Sequence, residues 1–307
     1  MKKTLIVILT FLIITILFGC QNETSVLTIM TPAGSPALSQ LYVQEDSEHY
    51  TVDVINGSDP LLAAFASGSH DVIFAPTNLG AKLYNSGTEY QFAGTVTWGN
   101  YYLVAKGQTV FDLESLTDKT ILAFGKNQTS DIILQYILAE NDIEVIFAEP
   151  YADSTADTLS RFIADNSLII LIAEPSLSVL ASRVEGLQII DLQNEYEELT
   201  GADSYPQAGV FVKTSLDKAV VQTFLSALSL SVVTVNANLG EAADLAVNFG
   251  YGFTKEVLLS AIPNSHLNYV SALNSKTALE AYFTMILQYN GNLIGNKLPD
   301  DDFYFKP

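Results

Sequence analysis

From Val26 onward the chain repeats one pattern: a short run of β-branched and aliphatic residues, a polar loop, then an amphipathic stretch. Val26–Met30, Tyr50–Ile55 and Asp71–Ala75 read as strands; Pro36–Leu41, Asp59–Ala66 and Leu79–Tyr84 read as the helices that follow them. Pro36 and Pro60 suit a first helical turn, and Asp59 suits an N-cap. Strand–loop–helix units of this spacing predict a mostly parallel, doubly wound sheet. Gln91–Val96 and Tyr101–Ala105 read as paired strands about Trp98-Gly99-Asn100. A second unit follows, with strands at Thr120–Phe124, Ile143–Phe147, Leu168–Ala173 and Leu187–Leu192. Its helices are Asp131–Ala139, capped by Ser130, Ser154–Ala164 and Ser176–Ala181. Gln207–Val212 is a last strand before helices at Asp217–Asn236, Glu241–Phe249, Thr254–Ile262 and Ser275–Tyr289. At 307 residues and 49% hydrophobic composition, two lobes can each bury a core.

The start of the chain adds a location. Lys2 and Lys3 precede an apolar run over Thr4–Phe18, then Leu17-Phe18-Gly19-Cys20 and a polar Gln21–Ser25. A charged start, a short apolar run and small residues at the cut make a secretory signal peptide. The run is shorter than the roughly 20 apolar residues of an ordinary spanning helix. Leu-Phe-Gly-Cys resembles the bacterial lipobox, whose cysteine is acylated and becomes the first residue of the mature chain. Cys20 is the only cysteine, so no intrachain disulfide is available and the fold stands on its apolar core. The division expected is a signal peptide over 1–19 and a lipidated N-terminus and tether over 20–25. No later stretch reads as a membrane span.

The net charge of −20 becomes −22 when Lys2 and Lys3 are removed with the signal peptide. Such a chain repels nucleic acid, whose binding rests on Lys and Arg neutralising phosphates. Arg161 and Arg183 are the only arginines, so a multi-arginine clamp on an anion is not available. No G-x-S-x-G, H-E-x-x-H or P-loop occurs, and Gly250-Tyr-Gly252 lacks the third glycine of a dinucleotide fingerprint. Three scattered histidines, His49, His70 and His266, and no free thiol make no metal site, and no cofactor is implied. An enzyme is not expected.

Asp71-Val-Ile-Phe-Ala-Pro76, Gly99-Asn-Tyr-Tyr-Leu-Val-Ala105, Ala173-Glu-Pro175, Gly209-Val-Phe-Val-Lys-Thr-Ser215 and the ending Gly295–Tyr304 occur in that order. Together with the export signal, this order resembles solute-binding proteins of ABC importers with the type II periplasmic-binding fold. The branch is the one that includes nitrate, sulfonate, taurine and thiamine-precursor binders. The resemblance implies two α/β lobes with a helical C-terminal region, a small ligand held between them, and delivery to permease and ATPase subunits by a lipid-anchored, extracytoplasmic monomer. The first lobe would comprise 26–105 with 205–307 and the second 106–204. A thiamine-precursor synthase shares the fold but needs a cysteine-rich motif that this chain lacks.

In open α/β sheets, ligands sit beyond the carboxyl ends of strands, where loops enter helix N-termini. That rule selects Ser35, Asn56, Ser58, Thr77, Asn78, Asn100, Asn127 and Thr129 as polar contacts, with Trp98 and Tyr205 as aromatic walls and Glu174 as a charged contact. Asn78, Gly34 and Gly57 could equally serve turn geometry. Glu174 caps the next helix or meets a ligand amine. The aromatics and Glu174 favour a neutral or cationic heteroaromatic solute. A small anion such as a sulfonate is the alternative ligand, and a solute sensor signalling to a membrane receptor is the alternative role.

Overall fold

The computed structural model describes residues 26–307; the expected signal peptide, lipidation site Cys20 and expected tether lie outside the described residues. In chain order the first elements are β1 (Leu27–Pro32), α1 (Ser35–Ser39), α2 (Leu41–Glu45), β2 (Tyr50–Ile55), α3 (Asp59–Ser67), β3 (Val72–Pro76), α4 (Thr77–Asn85) and β4 (Tyr90–Trp98). Next come β5 (Tyr101–Lys106), β6 (Thr120–Leu122), α5 (Thr129–Glu140), β7 (Ile146–Phe147), α6 (Thr155–Ala164), β8 (Ile169–Ala173), α7 (Ser176–Ala181), β9 (Leu187–Asp191) and α8 (Leu192–Thr200). The chain ends with β10 (Pro206–Lys213), α9 (Lys218–Ala237), α10 (Leu239–Asn248), α11 (Lys255–Asn264), β11 (Leu267–Ser271) and α12 (Ala272–Asn290).

Two sheets flanked by helices form two lobes. The first runs β11-β4-β10-β3-β1-β2 and the second β7-β6-β8-β5-β9. The parallel pairing expected from the strand–helix rhythm holds among β1, β2 and β3 and among β6, β7 and β8. The strands that carry the chain between lobes run the other way. β10 is antiparallel to β3 and β4, and β5 is antiparallel to β8 and β9. Both sheets are therefore mixed, because a crossing strand enters its sheet from the opposite end.

β4 and β5 do not pair with each other, contrary to the sequence reading. They lie in different sheets, so Gly99-Asn100 is a crossover, not a hairpin. A Cβ on Gly99 would sit 2.0 Å from Gln193 Oε1 and 2.5 Å from the Tyr205 ring, so only glycine passes there. With β5 in the second sheet, the change of lobe precedes the Ala105 boundary drawn on sequence.

β3 shows how the first sheet is buried. Ile73 and Ala75 face one apolar cluster, while Val72 and Phe74 face another, and all four are fully buried. The two-residue side-chain period requires this alternation, and a strand covered on both faces reads as continuously apolar. The second cluster holds α9, whose Val221, Phe224, Leu228, Val232 and Val235 face the sheet. α9 is 20 residues long with a mean hydropathy of 1.6, enough by length and composition to cross a membrane. That corrects the sequence reading, which found no such stretch. Its hydropathy combines this packed face with Leu230 and Val233 on the outer face, 66% and 61% exposed. The C-terminal tail closes the lobe: Phe303 stacks on Phe92 at 5.5 Å, and beside β4 Phe92 N donates to Phe303 O while Phe92 O accepts from Phe305 N.

Three elements were not foreseen, the first being α2, since the expected helix ended at Leu41. α8 carries the acidic run Glu195, Glu197 and Glu198, with only Leu192, Gln193 and Tyr196 buried. β11 has five residues between two helices and no apolar alternation.

Candidate functional site

A cleft of about 380 Å³ lies between the lobes. Its walls are built from the starts of helices. Gly34, Ser35 and Pro36 open α1; Gly57 and Ser58 precede α3; Gln128 and Ser130 begin α5; Ser154, Thr155 and Ala156 begin α6; Pro175 and Ser176 begin α7. Each helix start carries N–H groups without intrahelical partners and the positive end of the backbone dipole. Ser154 caps α6 by accepting from Asp157 N. Ser58 and Gln128 make no side-chain cap on α3 or α5. Apolar walls come from Leu61, Tyr101, Phe124, Val179 and Phe253, with Tyr251 beside them.

The charged groups in the wall are Arg183, Glu174 and Asp153. Arg183 is exposed and makes no ion pair among the described residues. Glu174 is buried, 4% exposed, and accepts from Ser178 N at 3.1 Å and Ser178 Oγ at 3.0 Å. Burial pushes its carboxyl up to about 7, against the pull of both Ser178 bonds. Its backbone carbonyl accepts from Ser35 Oγ at 3.1 Å, a bond that joins the lobes across the cleft.

Comparison with known proteins gives the arrangement a fold. No family model and no curated relative matches the chain. Among solved structures, an ABC transporter protein from Parabacteroides distasonis is 22% identical, with a TM-score of 0.78, over 92% of this chain and 99% of its own. The periplasmic aliphatic sulphonate binding protein SsuA from Escherichia coli is 16% identical, with a TM-score of 0.71, over 92% of each chain. A Candida albicans gene product described as having the generic periplasmic binding protein structural fold is 12% identical, with a TM-score of 0.57, over 91% and 92%. This chain has the periplasmic-binding-protein fold. The resemblance drawn from sequence motifs therefore holds at the level of fold.

Within this binding-protein fold the expected site residues fall into two groups. Ser35, Asn56, Ser58 and Glu174 line the cleft. Thr77, Asn78, Asn100 and Thr129 are fully or almost fully buried behind it, and their polar atoms are taken by protein. Thr77 Oγ1 donates to Pro206 O at 2.6 Å, and Asn78 Nδ2 donates to Asn127 O at 3.1 Å. Thr129 Oγ1 lies 3.2 Å from Asn78 Oδ1 and 3.3 Å from Gln207 O. Asn100 ties the crossing strands together. Its Nδ2 donates to Ser35 Oγ at 2.8 Å and Ser265 O at 3.3 Å, its Oδ1 accepts from Gln207 Nε2 at 2.8 Å, and its N–H donates to Gln207 Oε1 at 3.1 Å. Asn127 takes a left-handed turn at φ 62° and is not in the cleft wall.

The two expected aromatic walls also lie elsewhere. Tyr205 is fully buried and stacks behind Tyr101 with centroids 6.0 Å apart, so Tyr101 presents the ring to the cleft and Tyr205 supports it. Trp98 lines a separate pocket at the crossover. Ser130, expected as the cap of α5, lies inside that helix's first turn and donates to Phe124 O at 2.9 Å.

Residues that the sequence reading did not select include Ser154, Thr155, Arg183, Tyr251 and Phe253. The Ser154-Thr155 helix start was visible as a cap signal. Arg183 was visible as one of only two arginines. Nothing local marks Tyr251 and Phe253, which reach the cleft from the C-terminal helices.

Proposed function

We propose that the protein is the extracytoplasmic, lipid-anchored solute-binding component of an ABC import system, and that its solute carries an anionic head on a small organic body. The observation that carries this reading is the convergence of helix N-termini on one cleft. α3, α5 and α6 are each nine or more residues long and begin in its wall. Uncapped helix starts, as at α3 and α5, bind anions without a cluster of basic side chains, and Arg183 adds one unpaired cation. Tyr101, Phe124 and Phe253 suit an organic body. SsuA, one of the structural neighbours, is by its description an aliphatic sulphonate binder, and this supports the same ligand class here. Of the residues behind the heteroaromatic or cationic reading, Tyr101 and Glu174 line the cleft, while Trp98 and Tyr205 do not.

The lobes would close on the solute by hinge motion and present the complex to a permease. Anchoring would come from acyl chains on Cys20, followed by the short tether to Val26. No chemical step is assigned to the cleft. Thermal-shift screening of sulfonates, sulfate, nitrate and carboxylates against amines and nucleobases tests the ligand class. Stabilisation by a sulfonate or carboxylate at submillimolar concentration is the expected result, and stabilisation by amines or nucleobases alone would overturn it. Loss of fatty-acid labelling in Cys20→Ser tests the anchor; label retained by that variant would overturn it.

A further inference from the structure

A second pocket of about 630 Å³ opens at the crossover, formed in part by Trp98, Gln193, Asp203, Ser204, His266 and Asn268. Its walls come from both passages between the lobes: Trp98 ends β4 just before Gly99-Asn100, and Asp203 and Ser204 precede β10. Gln193 enters from α8 beside the second sheet, and His266 from the turn before β11. The passages are tied to each other here. Gly99 N donates to Ser204 Oγ at 3.1 Å, Ser204 Oγ donates to Gln193 Oε1 at 2.9 Å, and Gln193 Nε2 donates to Asp203 O.

The unpaired chemistry of this pocket is one-sided. His266 Nδ1 contacts Gly99 O, and a carbonyl can only accept, so the proton sits on Nδ1. Neutral imidazole then presents Nε2 as an acceptor, and Nε2 has no partner among the described residues. The Asp203 carboxylate is exposed and makes no ion pair or hydrogen bond among the described residues. Trp98 supplies an aromatic wall, held in place by Nε1 donating to Asn268 O at 3.0 Å. His266 is one of five non-glycine residues with positive φ among the described residues, at 47°. An imidazole held in that sparsely populated region marks a position that its surroundings over-determine.

We infer that this crossover pocket is a second ligand site, which takes a small aromatic cation with N–H donors. Trp98 offers a face for the ring and the charge, Asp203 offers the counter-charge, and His266 Nε2 accepts a donated hydrogen. The overall charge of −20 raises the local concentration of such a cation. The site is distinct in sign from the cleft, which is built to receive an anion. A molecule lodged between the two passages also touches the segments that must flex when the lobes move. By linkage, the factor by which such a ligand changes the cleft affinity equals the factor by which the cleft solute changes its own.

Trp98 is the only tryptophan, so it reports on its own pocket. The purified protein is titrated with benzamidinium, with benzamide as the neutral control, and Trp98 fluorescence is followed. The expected result is a saturable change with benzamidinium, at least fivefold weaker with benzamide. Asp203→Asn should weaken it at least fivefold, His266→Ala should weaken it less, and Arg183→Ala should leave it unchanged. A linear, non-saturating response equal for both probes would overturn the site. So would a saturable response that Asp203→Asn leaves untouched. Because the readout does not use a cleft ligand, its failure leaves the import reading standing.

Discussion

The cleft and the layer behind it are both polar, both sit at strand ends, and both join the lobes, yet they treat hydrogen bonds in opposite ways. Behind the cleft, Asn100, Thr129, Asn78 and Thr77 satisfy one another and the backbone across the crossing strands, together with Gln207, which also reaches the cleft wall. In the cleft, the starts of α3 and α5 lack side-chain caps and Arg183 lacks a carboxylate. A buried, mutually bonded network fixes geometry; a wall with uncapped helix starts leaves donors open to a ligand. The comparison separates residues that tie the crossing strands from residues that line the cleft, although the strand-end rule selects both.

The largest expected effect breaks the hinge side. Asn100→Ala leaves the buried Gln207 amide and Ser265 carbonyl without their partner, and should cost about 2–4 kcal/mol of stability by urea unfolding. Ligand affinity should fall only through loss of folded protein. A stable variant that has lost solute binding would place Asn100 on the cleft side instead.

Next comes Glu174, which belongs to both regions. Its folded carboxyl titrates at about 7 against an ordinary value of 4.5, chiefly because burial disfavours the charged form. The folded state therefore holds the proton more tightly than the unfolded chain. The contribution to stability is fully present below pH 4.5 and is lost as pH rises through 7, on the order of 3 kcal/mol. Denaturant unfolding at pH 5 and pH 8 should show this difference shrink in Glu174→Gln. An anionic solute adds to the effect: wild-type affinity should fall from pH 6 to pH 8, while Glu174→Gln binds tightly at both.

Arg183→Ala should weaken an anionic solute about tenfold, roughly 1.4 kcal/mol, and change stability by less than about 0.5 kcal/mol because the residue is exposed. The smallest effect is expected at Ser58→Ala. Ser58 makes no cap bond, so stability should hold while calorimetry shows affinity down about threefold.

Much of the fold was legible in the chain. The apolar runs over Val72–Ala75 and Ile169–Ala173 are buried central strands, as continuous hydrophobicity implies. The antiparallel crossing strands were not legible, since pairing direction depends on which lobe a strand enters, and Gly99-Asn100 looks locally like a turn. The site was half legible. Ser35, Asn56, Ser58 and Glu174 follow from strand ends, but the same rule also chose Thr77, Asn78 and Thr129, whose polar groups are taken by protein: Thr77 by Pro206 O in its own lobe, Asn78 and Thr129 by groups of both lobes. Local sequence records that a polar group is needed at a strand end, not whether its partner is solute or protein. Trp98 illustrates the limit: its polar loop was visible, and the side of the crossover on which it stands was not.

The most direct test is calorimetry of ethanesulfonate and ethylammonium against the wild type and Arg183→Ala at pH 6. The account predicts that ethanesulfonate binds, that Arg183→Ala weakens it about tenfold, and that ethylammonium gives no heat. Binding of ethylammonium with no response to ethanesulfonate would contradict an anion-binding cleft.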